Sequence, residues 1–210
     1  MEFAGDFETH ITVPCRDGVE IEALRLWAEG RSLKFHHIVL DRGRFASQPM
    51  LTRPGRGRLS DELEAAAKIG LGLGTAGFGV IRVKIEAAPW NEGVPRTSRD
   101  ASARSSDRYF EHHLKLLLTP DADLSVLSTL SEVHSAHLSR NARRVRADGL
   151  RERFLTQRLR SLGRVEARER LDALLDATRT AGHPILEVEE EYVVYDSNLA
   201  IDAGWISPGS

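Results

Sequence analysis

The chain has 210 residues, 41% of them hydrophobic and 29% charged, which suits one large or two small globular domains. Its 29 basic and 31 acidic residues give a formal net charge of −2, which argues against non-specific nucleic-acid binding because that needs a basic excess. The single cysteine, Cys15, excludes an intrachain disulfide and suits a reducing compartment. No apolar run approaches the roughly 20 residues that span a bilayer, so we expect a cytoplasmic protein without a membrane segment.

The first half of the chain predicts the element order strand, helix, strand, strand, helix, strand. The alternation of apolar and polar side chains over residues 7–13 indicates a half-buried strand with one polar face. Asp17 is the expected N-cap of the first helix. The glycines of the second helix are expected to weaken its last turns. The six segments cover residues 7–13, 17–30, 35–40, 50–52, 60–74 and 78–87. This order is typical of the ferredoxin-like βαββαβ unit.

The same order recurs in the second half of the chain. Residues 91–108 are rich in Pro, Gly, Ser and Arg and predict a linker. The repeated strands and helices are predicted in residues 110–118, 124–130, 137–142, 154–156, 165–182 and 185–195. Trp205, in the tail that follows, is expected to pack back on the body.

Local sequence similarity supports a tandem duplication. Residues 7–10 (Phe-Glu-Thr-His) match residues 110–113 (Phe-Glu-His-His), and residues 51–52 (Leu-Thr) match residues 155–156 (Leu-Thr). We therefore predict an α+β fold made of two ferredoxin-like lobes, residues 1–90 and 109–210, joined by the linker. Each lobe is expected to form an antiparallel sheet with helices on its outer face, and a polar cleft is expected between the lobes.

The polar faces of the predicted strands supply the candidate site residues. They are Glu8, His10, Thr12, Arg82, Lys84 and Glu86 in the first lobe, and Glu111, His113, Lys115, Glu187, Glu189 and Glu191 in the second. Burying so many charges in a dry interface is costly, so a cleft filled by water or ligand explains them better. Solvated strand faces or ion pairs between the lobes remain the structural alternative.

Two chemistries suit the paired histidines. His10 and His113 can act as general acid and base, with Thr12 and Lys115 beside them. An anionic substrate would be held by side chains drawn from Glu8, Glu111, Arg53, Arg158, Arg82 and Lys84. The alternative is a divalent metal site made by His10, His113 and Glu189, since imidazole and carboxylate are common ligands. No other cofactor is predicted.

The histidine motifs carry a family resemblance. Residues 10–13 (His-Ile-Thr-Val) fit the pattern His-apolar-Thr-apolar, and residues 113–116 (His-Leu-Lys-Leu) keep the histidine but have Lys115 in place of the hydroxyl residue. A second placement uses His37 and His137. With these motifs the two-lobed chain resembles the 2H phosphoesterases, and the resemblance implies phosphoester cleavage or cyclisation by one histidine from each lobe.

These observations predict an enzyme that acts on a small phosphorylated or otherwise anionic substrate by histidine acid–base chemistry. A divalent-metal-dependent enzyme in the same cleft is the first alternative. A non-catalytic module that binds a small molecule or a protein is the second. We expect a small anionic partner, allow for a homodimer, and expect neither a membrane nor nucleic acid as a partner.

Overall fold

The computed structural model describes residues 2–142 and 146–205 and confirms the repeated element order. The first lobe contains β1 (Ala4–Thr12), α1 (Gly18–Glu29), β2 (Lys34–Leu40), β3 (Ser47–Arg58), α2 (Leu59–Thr75) and β4 (Arg82–Ala87). The second contains β5 (Tyr109–Leu118), α4 (Leu124–Val133), β6 (Ala136–Asn141), β7 (Arg151–Arg160), α5 (Arg164–Thr180) and β8 (Ile185–Asp196). A short helix, α3 (Ser98–Ser102), lies between the lobes, and a 3₁₀ turn (Leu199–Asp202) follows β8.

Two strands are much longer than the segments that the sequence predicted for them. β3 and β7 were predicted as residues 50–52 and 154–156, but they span 12 and 10 residues. Each lies between two antiparallel partners, β3 between β1 and β2 and β7 between β5 and β6, so backbone pairing extends them through polar and Gly-containing sequence.

The two lobes form one closed sheet. Within the described residues the strand order is β1-β3-β2-β6-β7-β5-β8-β4, closing back on β1. The edge strands of the two ferredoxin-like units pair antiparallel at two seams, β2 with β6 and β4 with β8. The predicted tandem duplication is therefore confirmed, but the expected pair of separate sheets facing across a cleft is replaced by a barrel. Closure removes four unpaired edges and encloses the polar faces in a lumen.

The helices cover the outside of the barrel, as predicted. α2 contacts β1 and β3, and α5 contacts β5. Three clusters of buried apolar residues lie under the helices; one belongs mainly to the first lobe, one to the second, and the third joins both around Phe7, Phe110 and Tyr192. The outward side chains of β1, such as Phe7 and Ile11, are buried, so the predicted alternation of β1 is confirmed and its polar side chains face inward.

The segment predicted as a linker packs on the body. α3 begins at an N-cap threonine, Thr97, and backbone bonds join Arg164 to Pro95 and Val165 to Arg96. Gly163 lies against Thr97 so closely that a Cβ there would be 2.2 Å from the Thr97 carbonyl carbon. These contacts tie the connection to the start of α5. None of the helices in the described residues has both the length and the apolar character needed to cross a bilayer.

The C-terminal tail covers part of the barrel. Trp205 is 5% exposed, and its Nε1 donates a hydrogen bond to the carbonyl oxygen of Leu138 at 2.9 Å. The backbone N–H of Arg44 donates to Ala203, and the Arg42 guanidinium donates to the Trp205 carbonyl. The expectation that Trp205 packs back on the body is confirmed, and Trp205 is among the residues that line the lumen.

Candidate functional site

The lumen holds a cavity of about 290 Å³, at the small end of pockets that bind small molecules. Every strand of the barrel contributes to the cavity or to the side chains directly behind it. The lining residues are Glu8, His10, Thr12, Lys34, His36, Ile38, Leu40, Gln48, Met50, Arg82, Lys84, Glu111, His113, Lys115, Ser139, Asn141, Phe154, Thr156, Arg158, Glu187, Glu189, Glu191, Asp202 and Trp205. All of the predicted site residues except Arg53 and Glu86 therefore line one partly open cavity, and Glu86 contacts Nε2 of His10.

The two histidines occupy equivalent positions in the two lobes. Nδ1 of His10 lies 2.8 Å from Oγ1 of Thr52, and Nδ1 of His113 lies 3.0 Å from Oγ1 of Thr156. Each threonine is directly opposite its histidine on the neighbouring strand. Because Nδ1 is engaged, Nε2 is the nitrogen that faces the lumen carboxylates in both lobes.

Carboxylates surround Nε2 of His10. This atom lies 2.6 Å from Oε2 of Glu86 and 3.8 Å from Oε2 of Glu8. Ligand atoms of Glu8, His10, Glu86 and Glu191 all lie within 4.8 Å of one another, a separation that one metal ion can bridge.

His113 belongs to a second, adjoining cluster. Its Nε2 lies 3.5 Å from Oε1 of Glu111 and 3.5 Å from Oε2 of Glu191. Ligand atoms of Glu86, Glu111 and His113 also lie within 4.8 Å of one another. Glu86 is common to both clusters, so this side chain of β4 connects the histidines of the two lobes.

The buried cations of the lumen are engaged by acidic partners. Nζ of Lys84 lies 2.5 Å from Glu86 and 2.6 Å from Glu111. The guanidinium of Arg158 lies 2.7 Å from Glu111 and 2.9 Å from Asp202. An anionic ligand would therefore have to compete with these carboxylates for either cation.

A second group of ion pairs attaches the tail to the same network. Arg82 forms a bidentate pair with Asp196, at 2.5 and 3.0 Å, and lies 3.1 Å from Asp202. Gln48 donates a hydrogen bond to Asp202 at 3.2 Å, and the Tyr109 hydroxyl donates to Asp196 at 3.0 Å. Asp202, which was not among the predicted site residues, thus bridges two arginines on different lobes.

Negative charge exceeds fixed positive charge in the lumen. Six carboxylates but five Lys and Arg side chains line the cavity within the described residues, and Glu86 adds a further carboxylate beside Nε2 of His10. Burial lowers the pKa of His113, but its hydrogen bonds to Glu111 and Glu191 outweigh this and raise it to about 10. Burial likewise opposes the rise in the pKa of His10 that Glu86 causes. Burial and repulsion by Glu86 raise the pKa of Glu191 to about 7. Protons on these groups therefore balance part of the carboxylate charge.

Lys115 and Arg53 differ from their predicted roles in different ways. Lys115 lines the lumen, but its Nζ lies 3.7 Å from both Glu152 and Glu187. Arg53 is not in the lumen. Its guanidinium lies 2.5 Å from Glu62 of α2, on the outer face of β3. The prediction that Arg53 binds substrate is not supported by this position, because Arg53 directly follows the inward-facing Thr52 and so faces the opposite side.

The structure does not bring together His37 and His137, the second possible pair of motif histidines. His36, not His37, lines the lumen from β2, whereas Nε2 of His37 contacts Oγ of Ser47 at 2.8 Å. His137 is buried beside Trp205, with their ring centroids 5.9 Å apart. His37 and His137 therefore do not share the cavity, whereas His10 and His113 do.

A side groove of about 360 Å³ reaches the same carboxylates. It is lined by Asp6, Phe7, Glu8, Glu86, Ala87, Ala88, Trp90, Val188, Glu189, Glu190 and Glu191. Glu8, Glu189 and Glu191 line both this groove and the lumen, and none of the described residues that line the groove is basic. A larger groove, of about 470 Å³, lies after α5 and contains neither lumen histidine.

Sequence reasoning missed the threonines behind the histidines. Thr52 and Thr156 were matched as a repeat but were given no role. Thr52 is paired with His10 in the same way as Thr156 is paired with His113, and this repetition was the available sign of a shared role. Asp202 gave no such signal, because it lies in a short tail with no repeat partner.

Comparison with known proteins gives no family. No family model and no curated protein matches the sequence. Among solved structures, the chain is similar to an arginine-to-alanine mutant of chlorite dismutase from Candidatus Nitrospira defluvii, with 14% identity, a TM-score of 0.29 and coverage of 95% of this chain and 93% of that one. The mutant with glutamate in place of the same arginine has 12% identity and a TM-score of 0.28, and the match covers 95% of this chain and 93% of that one. The complex of the same enzyme with imidazole has 13% identity and a TM-score of 0.27, and the match covers 91% of this chain and 92% of that one. At these TM-scores the similarity assigns no activity to the chain.

Proposed function

We propose that this protein is a divalent-metal-dependent enzyme whose metal ion binds in the barrel lumen. The observation that carries the proposal is the convergence of Nε2 of His10 with carboxylate oxygens of Glu8, Glu86 and Glu191 within 4.8 Å. A mixed imidazole and carboxylate set suits ions such as Mn²⁺, Fe²⁺, Co²⁺ and Zn²⁺. This ligand set shares only His10 with the one expected from sequence, because Glu86 and Glu191, rather than Glu189, belong to the cluster around His10.

The hydrogen bond behind His10 supports the same assignment. Histidines that bind metals usually donate their other ring N–H to an oxygen, which fixes the ring and directs the free lone pair to the metal. Thr52 stands at that position for Nδ1 of His10, and Thr156 does so for His113. His113, with Glu86 and Glu111, would hold a second ion or remain beside the first as a proton-transfer group.

The charge balance also favours a cation. An isolated buried carboxylate is costly, and several of them in one cavity repel each other. The lumen cations are already paired, and a bound divalent ion would replace the protons that otherwise balance the remaining carboxylate charge and would provide the positive centre that an anionic substrate needs. A small anionic substrate, phosphoesters included, is thereby compatible with a carboxylate-rich lumen.

Metal-free catalysis by His10 and His113 is the second candidate, favoured by their symmetric placement against Glu86 and Glu191. That mechanism needs one neutral and one protonated histidine. The surrounding carboxylates raise the pKa of both imidazoles, so neither is a ready base at neutral pH. We therefore place it below the metal-dependent reaction.

Calorimetric titration of chelator-treated protein with Mn²⁺, Co²⁺ and Zn²⁺ tests the proposal. We expect at least one ion to bind, and we expect His10→Ala or Glu191→Gln to weaken binding by about a hundredfold or more. His37→Ala, on the outer side of β2, is the matched control and should bind like the native chain. Far-UV circular dichroism verifies that each variant is folded.

Turnover is then measured on a panel of linear and cyclic phosphodiesters with and without the bound ion. Activity that depends on the ion supports the proposed enzyme. Failure of the native chain to bind any of the three ions, or equal loss in His10→Ala and His37→Ala, would contradict the metal site. Turnover that persists after complete metal removal would favour the second candidate.

A further inference from the structure

The two halves of the lumen differ in their apolar side chains, although both halves carry charged residues. The strands β1, β4, β5 and β8 contribute the histidine and carboxylate clusters described above. The large apolar side chains that line the cavity all come from the other half of the barrel and the tail. They are Ile38, Leu40, Met50, Phe154 and Trp205.

Three of these apolar side chains retain exposed surface. Ile38, Met50 and Phe154 are only half-buried, and each lines the cavity. Their outward-facing neighbours Leu51 and Leu155 are 1% and 0% exposed. Apolar surface that lines a concave space binds water poorly and gains free energy when an apolar group covers it.

The apolar wall is closed by the tail. The Trp205 indole is fixed by its hydrogen bond to Leu138, and its ring packs against His137. Asp202, three residues earlier, is held by Arg82 and Arg158. The indole is therefore fixed beside the cavity, where an aromatic side chain can contact an apolar group of a ligand.

We propose that the substrate of the lumen site is an amphipathic small molecule. Its oxygen-bearing head would lie on the metal ion at the carboxylate wall, and its flat apolar body would lie against Met50, Phe154 and Trp205. This inference rests on the proposed function for the position of the head. The cavity of about 290 Å³ suits a small molecule with one ring or a short chain.

Binding of two hydroxamates to the Co²⁺-loaded full chain tests the proposal. Both acetohydroxamate and benzohydroxamate chelate through two oxygens, and only the second carries a ring. We expect benzohydroxamate to bind about tenfold tighter or more, because its ring covers the apolar wall. The visible spectrum of Co²⁺ reports occupancy of the metal site separately from the calorimetric affinity.

Two variants test whether the preference for benzohydroxamate over acetohydroxamate arises in the lumen. Met50→Gln keeps the length of the side chain but makes the wall polar, so the affinity ratio should fall toward one. Leu26→Gln, on the outer surface of α1 where Leu26 is 56% exposed, should leave the ratio unchanged. Equal affinity for both hydroxamates on a protein that binds Co²⁺ would overturn the amphipathic substrate alone. Failure of the chain to bind Co²⁺, Mn²⁺ or Zn²⁺ would overturn the proposed function and this inference with it.

Discussion

At the scale of single residues, the site depends on the hydroxyl group behind each histidine. Thr52 and Thr156 are almost fully buried, and each contacts Nδ1 of the histidine across the strand pair. A buried hydroxyl that accepts from Nδ1 fixes both the ring orientation and the nitrogen that faces the carboxylates. The chemistry of the lumen therefore depends on residues that do not themselves bind the metal.

Replacing Thr52 with valine tests this role. The Thr52→Val side chain has nearly the same shape but cannot accept the hydrogen bond, so we expect Co²⁺ or Zn²⁺ affinity to fall by about ten- to a hundredfold. Calorimetric titration measures the change. Thr9→Val is the matched control, because Thr9 lies on the opposite face of β1, where its hydroxyl contacts Glu62. Unchanged metal affinity in Thr52→Val would show that the hydroxyl does not position His10.

At the scale of elements, α2 shows how packing overrides local preference. Its three glycines were expected to weaken the last turns, yet the helix is continuous from Leu59 to Thr75. The helix is held by its buried face, which includes Ala66 and Leu73 in the first-lobe core. A Cβ at Gly70 would meet nothing within 4 Å, whereas a Cβ at Gly72 would lie 3.3 Å from the Trp27 ring. Of these two glycines, only Gly72 has a close contact that an added methyl group would tighten.

This difference predicts that one substitution stabilises the protein at Gly70 and not at Gly72. Gly70→Ala should raise the free energy of unfolding by about 0.5–1 kcal/mol, because alanine loses less backbone entropy on folding. Gly72→Ala should give no such gain, since the added methyl presses on Trp27. Urea unfolding followed by circular dichroism measures both. A larger gain at Gly72 than at Gly70 would contradict the described packing of α2 on α1.

At the scale of the whole molecule, the two lobes share one sheet and one charge network. The seams β2–β6 and β4–β8 join their backbones, and the Lys84–Glu111 ion pair joins side chains of β4 and β5, the two strands on either side of β8. A shared apolar cluster around Phe7 and Phe110 adds to these contacts. Neither lobe has its polar strand face covered without the other.

Because of this sharing, we expect one cooperative unfolding transition for the full chain. Tryptophan fluorescence and far-UV circular dichroism should give coincident urea curves. Glu111→Gln should shift both curves together and destabilise the fold by about 3 kcal/mol, since it removes the charged partner of Lys84 and Arg158. Asp172→Asn, in an exposed pair on α5, is the control and should change stability by less than about 1 kcal/mol. Two separate transitions would show that the lobes fold independently.

Much of the site followed from strand periodicity alone. The alternation in β1 and β5 places Glu8, His10, Glu111 and His113 on the polar face of each strand. All four line the lumen. The same rule explains the error at Arg53. That residue directly follows Thr52 and faces outward, whereas Arg158 lies two residues after Thr156 and faces inward. A shift of one residue reverses the face, so proximity to a matched motif was a poor guide.

The sequence by itself determined the duplicated βαββαβ order and the polar inner faces of the strands, because both depend on local periodicity and on repeated residues. Only the tertiary structure decided that edge strands pair at two seams, that Glu86 lies between His10 and the second-lobe cluster, and that Asp202 enters the charge network. The alternating pattern of a strand is the same in an open sheet and in a barrel. Closure depends instead on backbone groups at the sheet edges, which every residue except proline carries alike.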